Sequence, residues 1–120
     1  MVEDYKDLRI WQQSVALTKT IYSLADQLPD KECYGLGSQM TKAAVSVASN
    51  IAEGSRRRGT KDLIHFLSIA LGSLAELETQ LIIATEISYL SKQVLPEILE
   101  EIDRLARGIV KLQQTQERRA

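Results

Sequence analysis

The chain has 120 residues with one histidine, one cysteine and a formal net charge of −1 at pH 7, and this length suits one domain built around one hydrophobic core. A charge so close to zero is unlike the strongly positive charge of a dedicated nucleic-acid-binding domain. Cys33 has no second cysteine with which to form an internal disulfide, and no secretory signal is recognisable before Tyr5, so we expect a cytoplasmic protein.

The pattern of apolar residues predicts an all-α protein, since only two prolines and six glycines occur and no stretch alternates as a β-strand would. Four helices in a single domain over residues 1–120 account for nearly all of the chain. Their expected bounds are about 7–28, 36–54, 61–87 and 92–114. Pro29 is expected to end the first helix, and the polar tail over residues 115–120 is expected to fray.

The second and third predicted helices meet at a short basic turn. Gly54 is predicted to end the second helix as a left-handed cap, and the Thr60 side chain is predicted to cap the start of the third. Small residues dominate the second helix near this end, which permits close approach of another helix. Four cations stand within six residues at the turn: Arg56, Arg57, Arg58 and Lys61.

These four cations are the strongest candidate for binding outside the chain, because arginine matches the geometry of phosphate oxygens. Two nearby acids, Glu53 and Asp62, are too few to neutralise them. RNA or DNA is therefore one predicted partner, and a ring of subunits would multiply the charge and the affinity. A solvated turn that keeps the protein soluble is the alternative.

The third predicted helix is apolar around most of its circumference, whereas a helix in a monomeric bundle needs only one apolar stripe. We therefore expect a second subunit to cover part of it. The predicted contact residues are Leu63, Phe66, Leu67 and Leu74. Glu76 and Glu78 interrupt the apolar stretch, so it is not expected to cross a membrane.

Polar residues in or beside the apolar stretches have a structural and a catalytic interpretation. Under the first, Glu53 pairs with an arginine of the turn, Glu76 makes a buried or interfacial contact that fixes helix register, and Asn50 and Ser73 are structural as well. Under the second, Asn50, Glu53 and Glu76 line the pocket of an enzyme. Nothing in their spacing requires a pocket, so the structural interpretation is preferred.

No catalytic residue, metal site or cofactor is predicted. The single histidine, His65, cannot complete a carboxylate-bridged metal site, which needs two Glu-x-x-His elements. One cysteine and one histidine cannot supply a tetrahedral zinc site either. Cys33 has no neighbouring base in the sequence that would activate it as a nucleophile.

An ordered set of short motifs spans nearly the whole chain. Its central element is Asn50-Ile51-Ala52-Glu53-Gly54, between the second and third helices. The other members are Trp11-Gln12, Tyr34-Gly35-Leu36, Gln39, Ala43-Ala44-Val45-Ser46, Phe66-Leu67-Ser68-Ile69-Ala70, Gly72-Ser73, Glu76 and Tyr89-Leu90. Together these motifs resemble the pattern of the 23S rRNA-intervening-sequence family of four-helix-bundle proteins.

The resemblance implies an antiparallel up-and-down four-helix bundle that assembles as a ring, typically a homopentamer. Members of the family were first noticed as reading frames within sequences that interrupt bacterial 23S rRNA genes, and related proteins are nucleic-acid-binding subunits of diversity-generating retroelements. Thr41-Lys42 and Ala48 depart from the family's pattern, which often has two arginines and a proline there. The structural motif that the resemblance assigns comprises Asn50, Glu53, Gly54, Gly72, Ser73 and Glu76.

From the residues and the resemblance we hypothesise a non-enzymatic, ring-forming assembly or adaptor protein with weak, salt-sensitive RNA binding through the basic turn. The alternative is a purely protein-binding module without a nucleic-acid role, in which the charge serves solubility and the ring presents a helical surface to another protein. Self-association is expected under both hypotheses.

Overall fold

All four predicted helices are present in the computed structural model, which describes residues 4–119. The helices are α1 (Arg9–Ala25), α2 (Leu36–Arg56), α3 (Thr60–Glu86) and α4 (Leu95–Arg119), and this part of the chain contains no strand. Short 3-10 turns at Tyr5–Asp7 and Asp30–Glu32 precede α1 and α2. The prediction of an all-α four-helix bundle is therefore confirmed.

Consecutive helices run antiparallel, and each packs on the next. α2 packs most extensively on α3, while α1 and α4 close the bundle through the smallest contact. Two hydrogen bonds fix the register of α2: Thr18 Oγ1 donates to the Ala44 carbonyl of α2 at 3.3 Å, and the Ser46 and Ser73 hydroxyls are 2.8 Å apart between α2 and α3. The N-terminal turn, the turn between α2 and α3 and the end of α4 consequently share one end of the bundle.

α1 is shorter than the predicted range of 7–28. The segment before it is a 3-10 turn in which the Asp4 side chain accepts a hydrogen bond from the Lys6 N–H at 2.9 Å. At the other end, Pro29 disfavours helical backbone in the residue before it. The helix therefore ends at Ala25, and Leu28 enters the core from a turn.

Gly54 does not end α2. The helix continues to Arg56, and no glycine in residues 4–119 has a positive φ. A Cβ atom on Gly54 would lie 2.8 Å from the Phe66 Cβ and 3.3 Å from the Leu63 Cδ1. The predicted left-handed cap was wrong, because glycine is needed at this position for the close approach of α3 and not for helix termination.

Thr60 does not cap α3 with its side chain. It is the first helical residue, and the N-cap is Gly59, which has no side chain that could donate or accept a capping hydrogen bond. The other end of α3 closes through Ser88, whose φ of 66° is left-handed. The following Tyr89 N–H donates to the Ala84 carbonyl at 2.8 Å, which is the hydrogen bond that a left-handed residue permits at a helix end.

α4 begins and ends later than the predicted range of 92–114. Before it, the Ser91 Oγ accepts a hydrogen bond from the Gln93 N–H at 3.2 Å. Pro96 lies in the first turn of the helix, where its missing N–H breaks no intrahelical bond. The expected frayed tail is helical over residues 115–119, and its last residue, Ala120, lies outside the part that the structure describes.

One hydrophobic core fills the space between the four helices. Its fully buried side chains include Ile21, Met40, Val47, Ile51, Leu67, Leu77, Leu81 and Ile109. Burial of one such side chain contributes about 1.5–3 kcal/mol. Leu63, Leu67 and Leu74 belong to this core with at most 8% exposure, so their predicted place in a subunit interface was wrong. Phe66 alone of the predicted contact residues is partly exposed.

α3 is long and apolar enough, by length and composition, to cross a membrane, and it is the only such helix within residues 4–119. In the bundle, 33% of its most apolar stretch is buried. Glu76 and Glu78 lie near the middle of the helix, and a charged residue at the centre of a bilayer costs about 2.5–3.5 kcal/mol. α3 is one helix of the bundle, packed between α2 and α4, with an apolar flank that its own chain leaves exposed.

Candidate functional site

The basic turn lies at one end of the bundle. Arg56 is the last residue of α2, Arg57 and Arg58 form the turn, and Lys61 lies in the first turn of α3. The chain leaves α2 through Arg57, whose backbone is extended and whose N–H donates to the Gly54 carbonyl at 3.2 Å. All four cationic side chains are exposed to solvent.

Two contacts hold the Arg57 side chain. Its Nη2 lies 3.1 Å from the Glu53 Oε2, and its guanidinium carbon lies 5.0 Å from the centre of the Phe66 ring. The expected pairing of Glu53 with an arginine of the turn is therefore confirmed. An exposed pair of this spacing contributes about 0.3–0.5 kcal/mol, so these contacts orient the guanidinium more than they stabilise the fold.

Arg56 lies against a second aromatic side chain. Its guanidinium carbon is 5.7 Å from the centre of the Tyr5 ring. The centres of the Tyr5 and Trp11 rings are 5.4 Å apart, in an edge-to-face arrangement. No aromatic residue stands among the arginines in the sequence, yet the fold brings two aromatic rings to them from the N-terminal turn and from α3. Each such cation–π contact contributes about 0.5–1 kcal/mol at an exposed site.

The end of α4 adds a further cation to this surface. A cleft of about 170 Å³ is lined by Arg57 and Arg58 from the turn and by Arg119 from α4. Arg119 was not among the cations predicted from the sequence, because the last residues were expected to fray. Continuation of the helical pattern through residues 115–119 is the signal that could have identified it. We call Arg56, Arg57, Arg58, Lys61 and Arg119 the basic end.

Helix termini shape the field at the basic end. α2 and α4 end there, and their partial negative charge stabilises Arg56 and Arg119. α3 begins there, and its first amides face solvent without a side-chain cap at Gly59. Unpaired amides at a helix start carry partial positive charge and bind anions. The arginine forks and these amides can therefore bind the same kind of anionic group.

Polar side chains form a hydrogen-bonded chain between α2 and α3. The Asn50 side-chain amide donates to the Ser46 carbonyl at 2.8 Å and to the Ser46 hydroxyl at 3.0 Å, and that hydroxyl lies 2.8 Å from the Ser73 hydroxyl. Ser73 is almost fully buried. This network gives Asn50 and Ser73 the structural role that the sequence predicted, because it satisfies buried polar groups at the α2–α3 contact.

Glu76 does not join that network. Its side chain is exposed within the chain, so of the predicted buried or interfacial contact the buried form is wrong and the interfacial form stays a prediction; Glu53 at the basic end is exposed as well. A catalytic pair of carboxylates would require a water-excluding pocket, which two exposed side chains do not provide. Within residues 4–119, no group of three or more His, Cys, Asp and Glu side chains is placed to hold a metal ion.

Gly72 is unlike Gly54, although both lie inside helices. A Cβ atom on Gly72 would have no neighbour within 4 Å among the described residues, and the position is exposed. Glycine inside a helix costs about 1 kcal/mol relative to alanine. The packing of this chain explains the glycine at position 54 but not the glycine at position 72.

Comparisons with known proteins agree with this architecture. The family model described as 23S rRNA-intervening sequence protein matches residues 6–111. The fold is similar to a crystal structure of a protein of unknown function from the S23 ribosomal protein family of Bacteroides thetaiotaomicron, with a TM-score of 0.80 and 19% identity over 87% of this chain and 97% of that one. No curated protein matches the sequence. At this identity the structural likeness shows a shared fold alone.

Proposed function

The chain belongs to the 23S rRNA-intervening sequence protein family, and we propose that it is a non-enzymatic, self-assembling cytoplasmic protein whose basic end binds the phosphate backbone of RNA. The observation that carries this proposal is the convergence of arginines from two separate parts of the chain. Arg58 of the turn and Arg119 of α4 line one cleft beside the start of α3.

The chemistry of the basic end favours phosphate over bases. Guanidinium groups donate paired hydrogen bonds to phosphate oxygens, and such contacts carry no sequence information. The Tyr5 and Phe66 rings lie against Arg56 and Arg57, so these rings orient arginines and are not free platforms for stacked bases. The expected binding is therefore salt-sensitive and tolerant of RNA sequence.

Self-assembly gives the basic end its affinity. The basic end of one chain is small, and Arg57 is already paired with Glu53, so a single subunit would neutralise few phosphates. A ring that repeats the basic end would raise the affinity through multivalency. We take the homopentamer implied by the family resemblance as the expected ring, with the phosphate backbone of RNA crossing several subunits.

The test is a charge-removal experiment on the assembled protein. We expect the triple variant Arg56→Ala, Arg57→Ala, Arg58→Ala to lose binding to a fluorescent single-stranded RNA, measured by anisotropy at low and moderate salt. Because each phosphate contact contributes about −0.7 to the slope of log K against log salt for single strands, any residual slope should be flatter by about 2. Unchanged affinity would refute the proposed site.

The matched control removes the same number of cations elsewhere. The control variant is Arg104→Ala, Arg107→Ala, Lys111→Ala, at three exposed positions of α4. It has the same net charge as the first variant, because each loses three positive charges. We expect it to retain most of the affinity of the original chain. An equal loss in both variants would mean that net charge, and not the basic end, attracts RNA.

A purely protein-binding role is the second candidate. It is favoured by the exposed isoleucines of α3, since apolar patches on a protein surface mark sites of protein contact. Salt-insensitive capture of a protein partner, with no RNA binding at low salt, would favour this candidate. The convergence of arginines from the turn and from α4 on one cleft favours the RNA proposal.

A further inference from the structure

An apolar stripe on α3 is left uncovered by the bundle. Ile69 and Ile83 of α3, and Ile87 directly after its last residue, are 39%, 46% and 51% exposed, and they recur at helical spacing on the same face as Gly72 and Glu76. We call these five residues the α3 stripe. The large side chains at both ends and the glycine between them form a surface on which another backbone can approach closely.

A second uncovered apolar surface lies between α1 and α2. It is a groove of about 530 Å³ lined by Val15 and Tyr22 of α1 and by Val45, Ala48 and Ser49 of α2. Tyr22 is 52% exposed and Val45 is 42% exposed. We call this surface the α1–α2 groove; Thr18 and Lys19 complete its lining.

The two surfaces present side chains of different size. Ala48 and Ser49 of α2 are small lining residues of the groove, whereas the stripe carries exposed isoleucines on a helix. Residues 69–83 of α3 extend about 21 Å along the helix. Tyr22 also lines a second cleft that reaches Tyr34, so the two clefts adjoin along α1 and together offer an elongated surface of the kind on which a helix docks.

The charges that flank the two surfaces are opposite. α1 contains Arg9 and Lys19 and no acidic residue, and Lys19 is the charged residue that lines the groove itself; Asp26 and Asp30 line the adjoining cleft beyond Tyr22. Residues 69–86 of α3 contain Glu76, Glu78 and Glu86 and no lysine or arginine. Opposite charges around an apolar contact favour one pairing and disfavour the pairing of like surfaces.

We propose that the α1–α2 groove of one subunit receives the α3 stripe of a second copy of this chain. A chain cannot fill its own groove, because α2 separates the groove from α3 in the rigid bundle. The contact joins two different surfaces, so a pair of subunits keeps one free groove on one subunit and one free stripe on the other, and assembly continues until a ring closes. This inference rests on the proposed self-assembly and names the surfaces that carry it.

The test exploits the difference between the two surfaces. Val45→Asp blocks the groove and Ile69→Asp blocks the stripe, and each variant alone should be a monomer by light scattering at concentrations where the original chain assembles. An equal mixture should form a dimer of twice the 13.4 kDa chain mass, because one intact groove meets one intact stripe. A mixture that stays monomeric, or a Val45→Asp variant with the original mass, would overturn the pairing.

Two further variants separate assembly from folding. Val110→Asp replaces a valine that is 37% exposed on α4, outside both surfaces, and it should leave the assembled mass unchanged. Lys19→Glu reverses one exposed charge of the groove and should raise the dissociation midpoint at least tenfold. Circular dichroism should give the same helix content for every variant. If an aspartate variant unfolds, the dissociation midpoint of Lys19→Glu decides whether the groove takes part in assembly.

Failure of this pairing is distinguishable from failure of the proposed function. If the original chain is a monomer, both the pairing and the proposed self-assembly are wrong. If it assembles but Val45→Asp has no effect, another surface carries the assembly and the pairing alone is wrong. The variant lacking Arg56, Arg57 and Arg58 should keep the assembled mass, so loss of RNA binding there reports on the basic end alone.

Discussion

α3 and α4 are neighbouring helices of similar length, with 27 and 25 residues, but their outer faces are built differently. The outer face of α4 carries ion pairs one turn apart, Glu100 with Arg104 at 3.5 Å and Asp103 with Arg107 at 2.7 Å. The corresponding surface of α3 carries Ile69 and other isoleucines. Contact with water explains the first surface, whereas the second leaves large apolar side chains exposed, as a site of protein contact does.

The inner faces of the two helices are alike, so the difference between α3 and α4 lies on their outer faces. Leu77 of α3 and Leu105 of α4 are both almost completely buried in the common core. Folding of the single chain therefore accounts for one face of each helix. The comparison indicates that the exposed apolar face of α3 has a role separate from the stability of the bundle.

The largest expected effect comes from the inner faces. Leu77→Ala and Leu105→Ala should each lower the free energy of unfolding by about 2–5 kcal/mol, because each removes buried methyl groups and leaves a cavity. Chemical denaturation followed by circular dichroism measures this change. Exposed Leu→Ala positions would lose far less, so a loss below about 1 kcal/mol at either position would contradict the similarity of the inner faces.

A smaller loss is expected where α3 is closest to α2. Gly54→Ala places a Cβ atom 2.8 Å from the Phe66 Cβ, so one helix must shift. Overpacking of this kind costs about 1–3 kcal/mol, which exceeds the gain of about 1 kcal/mol from the higher helix propensity of alanine. Denaturation should show a net loss of stability; a net gain would mean that the helices separate at little cost.

Helical periodicity made the fold predictable, because an apolar side chain every three or four residues places one face of each helix in the core. The helix ends were less predictable. Gly54 has the residue type of a cap, yet its position is decided by the distance to Phe66, and that distance depends on how α2 and α3 pack. Ser88 closes α3 in a left-handed conformation that glycine usually adopts.

The candidate site was predictable only where its residues are close in sequence. The arginines of the turn are consecutive, whereas Arg119 and Tyr5 reach the same end of the bundle through the antiparallel path of the chain. The apolar excess of α3 was also visible in the sequence. The sequence did not show which apolar side chains of α3 are exposed. Leu63 and Leu67 face the core while Ile69 faces solvent, because burial depends on where the neighbouring helices lie.

The smallest expected effect is that of Gly72→Ala, and it distinguishes the contribution of α3 to the stability of the chain from its contribution to self-association. Gly72→Ala should stabilise the single chain by about 0.5–1 kcal/mol, because alanine favours the helix and the new methyl group meets no neighbour within 4 Å. Denaturation in the monomeric Val45→Asp background measures this gain without interference from assembly. The sign is opposite to that expected for the same substitution at Gly54.

In the assembling chain the same methyl group should weaken association, because it occupies the space in which the partner's groove approaches the α3 stripe. Light scattering over a dilution series measures the shift in the dissociation midpoint. Ala75→Gly, on an exposed position of α3, provides the reverse control: it should lose about 1 kcal/mol of chain stability without changing the midpoint. If Gly72→Ala stabilised the chain and left the assembly intact, Gly72 would have no role at the contact, and the apolar excess of α3 would have to be covered at another part of its surface.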